Sequence, residues 1–475
     1  MRACERLLPR AMGCTTRLCT GKQARTFTAL CRSATARSLR QILPGVSIPA
    51  RTFITDSKDV DTTSRAVPRF AFAFDIDGVL LHVAKPIPGA TETLKYLQRH
   101  NIPFILLTNG GGKHERERVA DLSERLGVPL STDNFVQSHT PFEKLVNHSL
   151  FDITQNGVWD AKAAGAGLAD KTILVTGSDP AKSRLIAEAY GFRSVVTPTD
   201  ILAAYPDVFP FERFVVSQYA SATRPLPTTF SSRSKGLLPL KISAIFVFND
   251  PRDWALDMQL ITDLLLSKKG YLGTYSEKNG RAEFPNHGWQ GDGQPHLYFS
   301  NNDLFWSAAY HLPRLGQGAF QAALVGIWYK ITGGKAKLRR TTIGKPYART
   351  YDYAEGVLAR WRAKMLEDNK HLSTSEGGGS EGGSDSVSSD DGVVQPEPLT
   401  RVYMIGDNPE SDIRGANEYA TKTKSKSGTD WASILVRTGV WNKERDGDPK
   451  YEPRVIVDDV KSAVEWALEQ EGWRR

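Results

Sequence analysis

The sequence predicts an α/β protein with a doubly wound parallel-sheet core and a large α/β cap domain inserted into that core. Three observations predict this fold. Apolar strand-like segments alternate with helix-like segments from residue 70 onward, which is the pattern of a parallel sheet covered by helices. Several of these strands end directly in polar residues and glycine. A second alternating set separates two parts of the first, and 475 residues are more than one compact core usually holds.

The first part of the predicted core begins with Phe70–Phe74, a continuous apolar run typical of a buried parallel strand. A helix is predicted from Thr91 to His100, where leucines recur at helical spacing, and a second strand from Ile102 to Leu107. A charged amphipathic helix over 114–126 ends at Gly127, a residue that commonly ends helices. This part therefore has the strand–helix–strand–helix order of a doubly wound sheet.

Residues 136–340 are predicted to form the cap, a second α/β unit with its own strands and helices. A loop rich in Pro, Ser and Arg is expected at 221–240. The predicted strands are Thr172–Thr176 and Ala244–Asn249, and the predicted helices are Ala181–Gly191 and Ala255–Lys268.

The pattern of the first part resumes after the cap, so that 66–135 and 341–475 together make up the predicted core. Residues 373–398 interrupt its second part and are rich in Ser, Gly, Asp and Glu. Because such a segment buries too little apolar surface to offset its ordering entropy, we expect a disordered acidic insertion there. The remaining core elements are strands at Thr341–Ile343, Arg401–Ile405 and Ser433–Val436, and a helix across 352–368.

The positive charge of the chain is concentrated in its first 55 residues. They contain nine Arg, one Lys and the single acid Glu5, a net charge of +9, whereas the whole chain has +8. Residues 56–475 therefore carry a net charge of −1, and we expect no nucleic-acid partner. A leader rich in Arg, Ser and Thr and poor in acids is typical of a mitochondrial transit peptide, which predicts recognition by the import machinery and a mitochondrial, matrix location. A disordered basic arm is the alternative.

The cysteines restrict the chemistry of the chain that would remain after removal of this leader. All four lie within residues 1–55, so disulfides, thiol catalysis and cysteine-ligated zinc are excluded beyond the leader. No apolar run approaches the length of about 18 residues that a membrane span requires, so we expect no transmembrane segment.

Four short polar segments stand directly after predicted strands, where open α/β sheets bind ligands. Each is ordinary by itself, since Thr-Asn is a common cap and Gly-Lys-Pro a common turn, but their joint occurrence at strand ends indicates one site. The segments are Asp75-Ile76-Asp77-Gly78, Thr108-Asn109, Lys345-Pro346, and Gly406-Asp407 with Asp412.

Carboxylates that converge at such a site need a cation. A close pair repels by roughly 4 kcal/mol at an effective dielectric near about 20. Oxygen ligands and substrate phosphate favour Mg²⁺. We expect Asp75 and Asp407 to bind it directly, Asp77 mainly through its backbone carbonyl, and Asp412 directly or through water. The preceding strand and the missing third acid argue against a calcium loop of the EF-hand type at Asp75–Gly78.

The same residues have the chemistry for phosphoryl transfer through a covalent intermediate. The carboxylate of Asp75 would attack phosphorus, and Asp77 would act as general acid and base. The hydroxyl of Thr108, nearby backbone N–H groups and the ammonium of Lys345 would bind the phosphoryl oxygens, with Asn109 in the same phosphate-binding set. The glycine-rich stretches elsewhere lack the spacing of nucleotide-binding loops.

The chain resembles the haloacid dehalogenase-like hydrolase superfamily over essentially all of residues 68–470. The resemblance implies a Rossmann-like core, with Asp75 as nucleophile, Asp77 as acid and base, Thr108 and Lys345 as phosphate ligands, and Asp407 and Asp412 as metal acids. The second acid, at position 77, indicates a phosphatase and not a dehalogenase. The matching motifs are Asp75-Ile76-Asp77-Gly78-Val79, Leu107-Thr108-Asn109, Gly344-Lys345-Pro346 and Gly406-Asp407-Asn408-Pro409-Glu410-Ser411-Asp412-Ile413.

The spacing of these motifs places the cap between Thr108 and Lys345, which are 237 positions apart. This arrangement is similar to class IIA, with its C2-type cap, and within it to the mitochondrial subgroup named for the cat eye syndrome critical region. Some fungal relatives there are joined to a CDP-alcohol phosphatidyltransferase, which suggests glycerophospholipid metabolism.

The sequence therefore predicts a Mg²⁺-dependent phosphohydrolase acting on a small phosphorylated metabolite. Two alternatives stay open: a phospholipid-related phosphatase or phosphotransferase, and a non-catalytic binding or scaffold protein with the same fold. The cap residues that would decide the substrate have no distinctive chemistry, and the oligomeric state is equally open.

Overall fold

The structure is a computed structural model of the 475-residue chain. Residues 1–55, the predicted leader, lie outside the described residues, and so does the predicted acidic insertion except for its two ends. Most of the predicted loop at 221–240 is outside them as well. The described residues are 66–147, 167–211, 222–227, 240–306, 310, 312–375, 397–423 and 428–473.

The first sheet contains six strands, all of them parallel, in the order β15-β14-β13-β1-β4-β5. Its central strand β1 has the sequence Phe-Ala-Phe-Ala-Phe and is completely buried. The strands are β1 (Phe70–Phe74), β4 (Phe104–Leu107), β5 (Phe135–Val136), β13 (Arg401–Gly406), β14 (Asp430–Val436) and β15 (Val455–Val457).

Helices cover both faces of this sheet because side chains alternate along each strand. The phenylalanines of β1 pack on one face with Leu94, Val464 and their neighbours. Ala71 and Ala73 lie on the other face, where their small size leaves room for Tyr351 and Trp431. The helices around the sheet are α1 (Ala90–Arg99), α2 (Glu115–Leu126), α8 (Ala348–Ser375), α9 (Arg414–Thr423) and α11 (Val460–Gln470). The predicted doubly wound core is confirmed.

The second sheet has five parallel strands in the order β12-β9-β8-β6-β7. It too separates two apolar layers, one around Leu260 and Phe320 and one around Phe142 and Phe246. The strands are β6 (Thr172–Thr176), β7 (Ser194–Val196), β8 (Ala244–Val247), β9 (His296–Phe299) and β12 (Thr341–Thr342). The helices are α4 (Pro180–Tyr190), α5 (Pro198–Ala204), α6 (Trp254–Leu266) and α7 (Gln317–Ile331).

One strand belongs to a different sheet from the one the sequence indicates. Thr341–Ile343 was expected to resume the first sheet, but Thr341 and Thr342 pair with Tyr298 and Phe299 of β9. Two threonines and one isoleucine are too short and too weakly apolar a run to distinguish one parallel sheet from another. The chain therefore returns to the first sheet only after Lys345, at α8, which extends into the first residues of the predicted acidic insertion.

Shorter elements complete the fold. Within the residues that the structure describes, no helix combines the length and the apolar character needed to cross a bilayer. Two short antiparallel hairpins are β2 (Leu81–His82) with β3 (Lys85–Pro86) and β10 (Phe305–Trp306) with β11 (Arg314–Leu315). Two further helices of one turn are α3 (Lys144–Asn147) and α10 (Lys443–Asp446).

Candidate active site

The site is formed at the carboxyl ends of neighbouring parallel strands. Asp75 follows β1 and donates its backbone N–H to Ile405 O in β13 at 2.9 Å. Asp407 follows β13, and Thr108 follows β4 on the other side of β1. Because carboxyl ends of parallel strands meet at one edge, segments more than 300 positions apart in sequence become neighbours.

The ammonium of Lys345 links two of the predicted acids. Its Nζ lies 2.8 Å from Asp75 Oδ1 and 2.8 Å from Asp412 Oδ1. Lys345 and Asp412 are almost completely buried, whereas 13% of the Asp75 side chain is accessible. Burial by itself would lower the pKa of Lys345, but Asp412 and Asp75 raise that pKa above its ordinary value. Lys345 is therefore a fixed positive charge that faces the partly accessible carboxylate of Asp75.

Three carboxylates surround one point in this site. Oxygen atoms of Asp75, Asp407 and Asp412 all lie within 4.8 Å of one another. Burial, and then repulsion from Asp75 and Asp412, raises the pKa of Asp407 well above its usual range. Burial also raises the pKa of Asp412 to about 6, although Lys345 opposes this shift. The single ammonium of Lys345 leaves a surplus of negative charge, so the donor set fits a hard divalent cation.

Backbone groups and glycines hold Asp407 in place. Its Oδ2 accepts the N–H of Val440 at 2.6 Å. A Cβ at Gly439 would lie 1.9 Å from this oxygen, and one at Gly78 would lie 2.4 Å from it. Gly78 also has φ of +86°, a conformation that side chains other than hydrogen rarely adopt. The loop at 438–440, which the motifs do not include, is thus part of the site.

Asp77 lies at the rim of the site and outside the group of three carboxylates. Its side chain is 59% accessible, and Oδ2 is 4.0 Å from an Arg118 nitrogen. Partial removal from water, followed by the charge of Asp75, raises the pKa of the Asp77 carboxyl. The structure therefore brings together Asp75, Asp407, Asp412 and Lys345 as the sequence predicts, while the role of Asp77 as a metal ligand stays a prediction.

Comparisons with protein families and with individual relatives cover most of this chain. The family described as haloacid dehalogenase-like hydrolase matches residues 72–193, and a related hydrolase-like description from the same superfamily matches residues 342–463. A mitochondrial hydrolase of Saccharomyces cerevisiae is 38% identical over 414 residues, covering 86% of this chain and 97% of the yeast protein. The chain belongs to the haloacid dehalogenase-like hydrolases. It is an enzyme of the hydrolase class, as the sequence predicts.

A second relative of this hydrolase is longer. A cardiolipin synthase (CMP-forming) / mitochondrial hydrolase fusion protein of Schizosaccharomyces pombe is 37% identical over 425 residues, covering 88% of this chain and 56% of that protein. Among solved structures, a p-nitrophenyl phosphatase from Archaeoglobus fulgidus aligns with 85% of this chain and all of its own, at 14% identity and a TM-score of 0.46. The glycerol phosphate phosphatase of Mycobacterium tuberculosis, in complex with calcium, aligns with 83% of this chain and 74% of its own, at 15% identity and a TM-score of 0.44.

Thr108 and Asn109 of the hydrolase differ in what their side chains do. Thr108 Oγ1 accepts the N–H of Gly110 at 2.9 Å, which holds the hydroxyl beside the site. Asn109 instead fixes the Lys345 backbone: its Oδ1 accepts the Lys345 N–H at 2.8 Å, and its Nδ2 donates to Lys345 O at 3.0 Å. The predicted contact of Asn109 with phosphate stays a prediction, since its amide is already occupied in positioning Lys345.

Sequence reasoning missed the contribution of the second sheet to this site. Asp303, four residues beyond β9, accepts the Asn109 Nδ2 donor at 3.1 Å. Burial raises the pKa of Asp303 to about 7. Asn301 donates to Asn109 O at 3.4 Å and accepts the N–H of Asp303 at 3.1 Å. A polar triplet just beyond a strand, Asn301-Asn302-Asp303, was the available signal, because the four recognised segments also lie just beyond strands.

Neighbouring side chains crowd the last two glycines of the triplet after Thr108. A Cβ at Gly111 would lie 2.9 Å from His139 Cδ2, and one at Gly112 would lie 2.3 Å from Asn249 Nδ2. The sequence indicates that these glycines let the backbone approach a phosphate. At Gly111 and Gly112 the side chains of His139 and Asn249 leave no room for a Cβ, and the approach of this backbone to a phosphate stays a prediction.

Proposed function

We propose that this hydrolase is a Mg²⁺-dependent phosphatase that cleaves small phosphomonoesters by way of a phosphorylated Asp75. The observation that supports it most is the burial of Lys345 between Asp75 and Asp412, with Asp407 completing a group of oxygens within 4.8 Å. The contact with Lys345 orients the Asp75 carboxylate, which stays partly accessible. The three carboxylates carry more negative charge than the one ammonium neutralises. Asp75, Asp407 and Asp412 would hold the ion, which would neutralise charge on the substrate phosphate.

In the first half of the proposed reaction, an oxygen of Asp75 forms a bond to phosphorus while the ester P–O bond breaks. The leaving oxygen takes a proton from Asp77, whose raised pKa favours the protonated form that this step requires. Lys345 stabilises the charge that develops on the phosphoryl oxygens, and the Thr108 hydroxyl donates to another of them.

In the second half, water attacks the phosphorus of the aspartyl-phosphate. Asp77 accepts a proton from this water, the bond between Asp75 and phosphorus breaks, and inorganic phosphate leaves. Both halves need a proton transfer on the side of phosphorus that faces away from Asp75, where the leaving oxygen departs and water attacks. The position of Asp77 at the rim permits this. The chain thus returns to its starting state with no net change in its own protonation.

The test is hydrolysis of p-nitrophenyl phosphate by the full chain with Mg²⁺ or with EDTA. We expect a Mg²⁺-dependent rate that falls at least about 1000-fold in Asp75→Asn. Asp448→Asn, at a carboxylate that is 88% accessible and pairs with Lys443, is the matched control. A scaffold protein would hydrolyse at the same low rate with or without metal and with or without the Asp75 carboxylate.

Asp77→Asn separates the two halves of the reaction. Because the phosphorylated Asp75 would form slowly and be hydrolysed more slowly still, we expect covalent phosphate to remain on the protein after a labelled substrate is added. Mass spectrometry of the quenched protein would locate it. Turnover equal to that of the parent chain would rule out an acid and base role for Asp77.

The second candidate is a phosphatase or phosphotransferase of glycerophospholipid metabolism. It is favoured by the relative from Schizosaccharomyces pombe, which is named as a fusion with a cardiolipin synthase. A phosphate-terminated phosphatidyl lipid in mixed micelles, compared with water-soluble phosphomonoesters at equal phosphate concentration, distinguishes the two. Transfer to added glycerol, measured as glycerol phosphate, would identify a phosphotransferase.

We further propose that the hydrolase acts in mitochondria, in the matrix, after import through residues 1–55. The support is the net charge of +9 in this leader and the two relatives named as mitochondrial. A fluorescent protein fused to residues 1–55 should enter mitochondria, and the chain without these residues should not. Import of both or of neither would contradict the proposal.

A further inference from the structure

The cap contains a concentrated area of exposed apolar side chains. Of the sixteen large hydrophobic side chains that are exposed among the described residues, nine lie between Leu304 and Ile331. Exposed apolar residues are normal when they are scattered, but a continuous patch indicates a binding surface. Six of the nine belong to the β10–β11 hairpin and its flanks: Leu304, Phe305, Trp306, Tyr310, Leu312 and Leu315. We call these six residues, together with Arg314, the aromatic hairpin surface.

Among the described residues, the hairpin has exposed side chains on both of its faces. Phe305 pairs with Leu315 and Trp306 pairs with Arg314, so the two pairs point to opposite faces. All four residues are exposed. The indole N–H of Trp306 donates to Leu315 O at 3.3 Å, which ties the ring to the opposite strand. A two-stranded hairpin with apolar residues on both faces gains little from folding in water alone, which indicates an apolar partner.

The chain segment that begins with the hairpin carries charge of one sign, although Asp303 directly precedes it and Asp250 lies near Gly316. Residues 304–351 contain eight Arg and Lys and no Asp or Glu. Residues 56–475 carry a net charge of −1, so the part of them that lies outside 304–351 carries −9. The guanidinium of Arg314 lies 4.5 Å from the centre of the Tyr310 ring. On the neighbouring helix α7, Tyr329 and Lys330 are exposed side by side. Aromatic and basic side chains without acids are typical of surfaces that bind anionic bilayers.

We propose that the aromatic hairpin surface docks on a phospholipid bilayer that contains anionic lipids. The aromatic rings would enter the interface between headgroups and acyl chains, and Arg314 would contact lipid phosphate. A second copy of the chain fits less well, because a two-fold contact places the same basic segment of both copies face to face. Docking of this kind does not depend on the proposed hydrolysis.

The position of the surface gives docking a consequence for the site. Leu304 directly follows Asp303, which contacts Asn109, and Asn109 in turn positions Lys345. A bilayer against the hairpin would therefore lie beside the entrance to the carboxylate group. If the proposed phosphatase activity holds, this placement suits a phosphomonoester on a lipid headgroup.

The test is sedimentation of the full chain with vesicles of phosphatidylcholine alone or mixed with phosphatidylglycerol. We expect tighter binding to the anionic vesicles, and a roughly tenfold or greater loss of partitioning in the double variant Phe305→Ser with Trp306→Ser. Tyr275→Ser, at an aromatic side chain that is 60% exposed elsewhere on the cap, is the matched control and should bind as the parent does. Hydrolysis of p-nitrophenyl phosphate without vesicles should be the same in all three proteins.

Residues 1–55 are also basic, so a local measurement is needed beside sedimentation. Hydrogen exchange should show vesicle-dependent protection of the peptide 304–315, which the double variant loses. Arg314→Glu, which keeps the aromatic rings, should lower the preference for anionic over neutral vesicles several-fold, and salt should lower it too. Protection confined to residues 1–55, or equal partitioning of the double variant and the parent, would overturn the proposal. So would a dimer in vesicle-free solution that the double variant loses.

Discussion

At the scale of single residues, the site is a balance between three carboxylates and one ammonium. Lys345 contacts Asp75 and Asp412 equally, at 2.8 Å each, and is buried with Asp412. A buried charge without its partner is strongly destabilising. Lys345 therefore has two effects that mutation can separate: it stabilises the fold by neutralising Asp412, and it supplies positive charge to a bound phosphate.

Lys345→Met tests this balance. We expect activity on p-nitrophenyl phosphate to fall at least about 1000-fold, and the free energy of unfolding at pH 7.5 in EDTA to fall by about 3 kcal/mol. The carboxyl groups left in the folded protein would hold protons more tightly than in the unfolded chain, so this loss should shrink as pH falls toward 5. Urea unfolding at both pH values measures it. An equal loss at both would show that the ammonium acts through packing alone.

Two substitutions of Asp303 test its contact with Asn109. Asp303→Ala removes the acceptor of Asn109 Nδ2 and should lower kcat/KM about fivefold, the effect of about 1 kcal/mol from one hydrogen bond. Asp303→Asn keeps an oxygen in place and should retain most of the activity. The two variants with equal kcat/KM would show that this contact does not position Asn109.

At the scale of elements, strand ends were predictable and loop contacts were not. The acids at 75 and 407 follow apolar runs that can only be buried strands, so one edge of a parallel sheet brings them together. Val440 holds Asp407 through its backbone N–H, in a loop after β14, and an apolar side chain gives no sign of such a backbone contact. Asp303 reaches the site from another sheet, and such a contact depends on how two packed units meet. Local sequence carries no information on that geometry.

Gly439→Ala tests the loop after β14. The backbone of Gly439 does not require glycine, but an added Cβ would lie 1.9 Å from Asp407 Oδ2. Displacing that carboxylate should lower Mg²⁺-dependent activity about 100-fold, the usual effect of a misplacement of about 1 Å. The control is Gly326→Ala in α7, where a Cβ would meet nothing within 4 Å and should leave activity unchanged. Full activity in Gly439→Ala would mean that Asp407 tolerates displacement.

At the scale of the whole molecule, the two sheets are joined where the site is. Asn109 links the segment after β4 to Lys345 and to Asp303, and Gly112 packs against Asn249 at the end of β8. The sequence predicted both sheets but assigned Thr341–Ile343 to the wrong one, because two threonines suit either edge. The chain therefore crosses between sheets immediately before Lys345, so any shift of one sheet against the other would displace this lysine.

Binding of Mg²⁺ should stabilise the whole fold. An ion among Asp75, Asp407 and Asp412 would relieve their repulsion in the folded state alone. At about 100 times the dissociation constant, the gain would be about 2.7 kcal/mol. Thermal unfolding of the parent chain should shift upward with Mg²⁺ until saturation, and Asp407→Asn should lose this shift. An equal shift in both proteins would place the ion elsewhere.

The pH dependence of stability should also reflect a group remote from the site. Asp257 in α6 is buried beneath the second sheet, and burial raises the pKa of its carboxyl from 3.8 to about 8. The folded chain therefore keeps a proton that the unfolded chain releases, so stability falls as pH rises between these two values. Asp257→Asn removes this pH dependence. As pH rises, we expect the free energy of unfolding of the variant to increase relative to that of the parent by up to about 1.4 kcal/mol per pH unit. Urea unfolding at pH 5, 6 and 7 compares the two proteins, which share every other titrating group. If their free energies of unfolding change equally with pH, Asp257 ionises in the folded protein as it does in water.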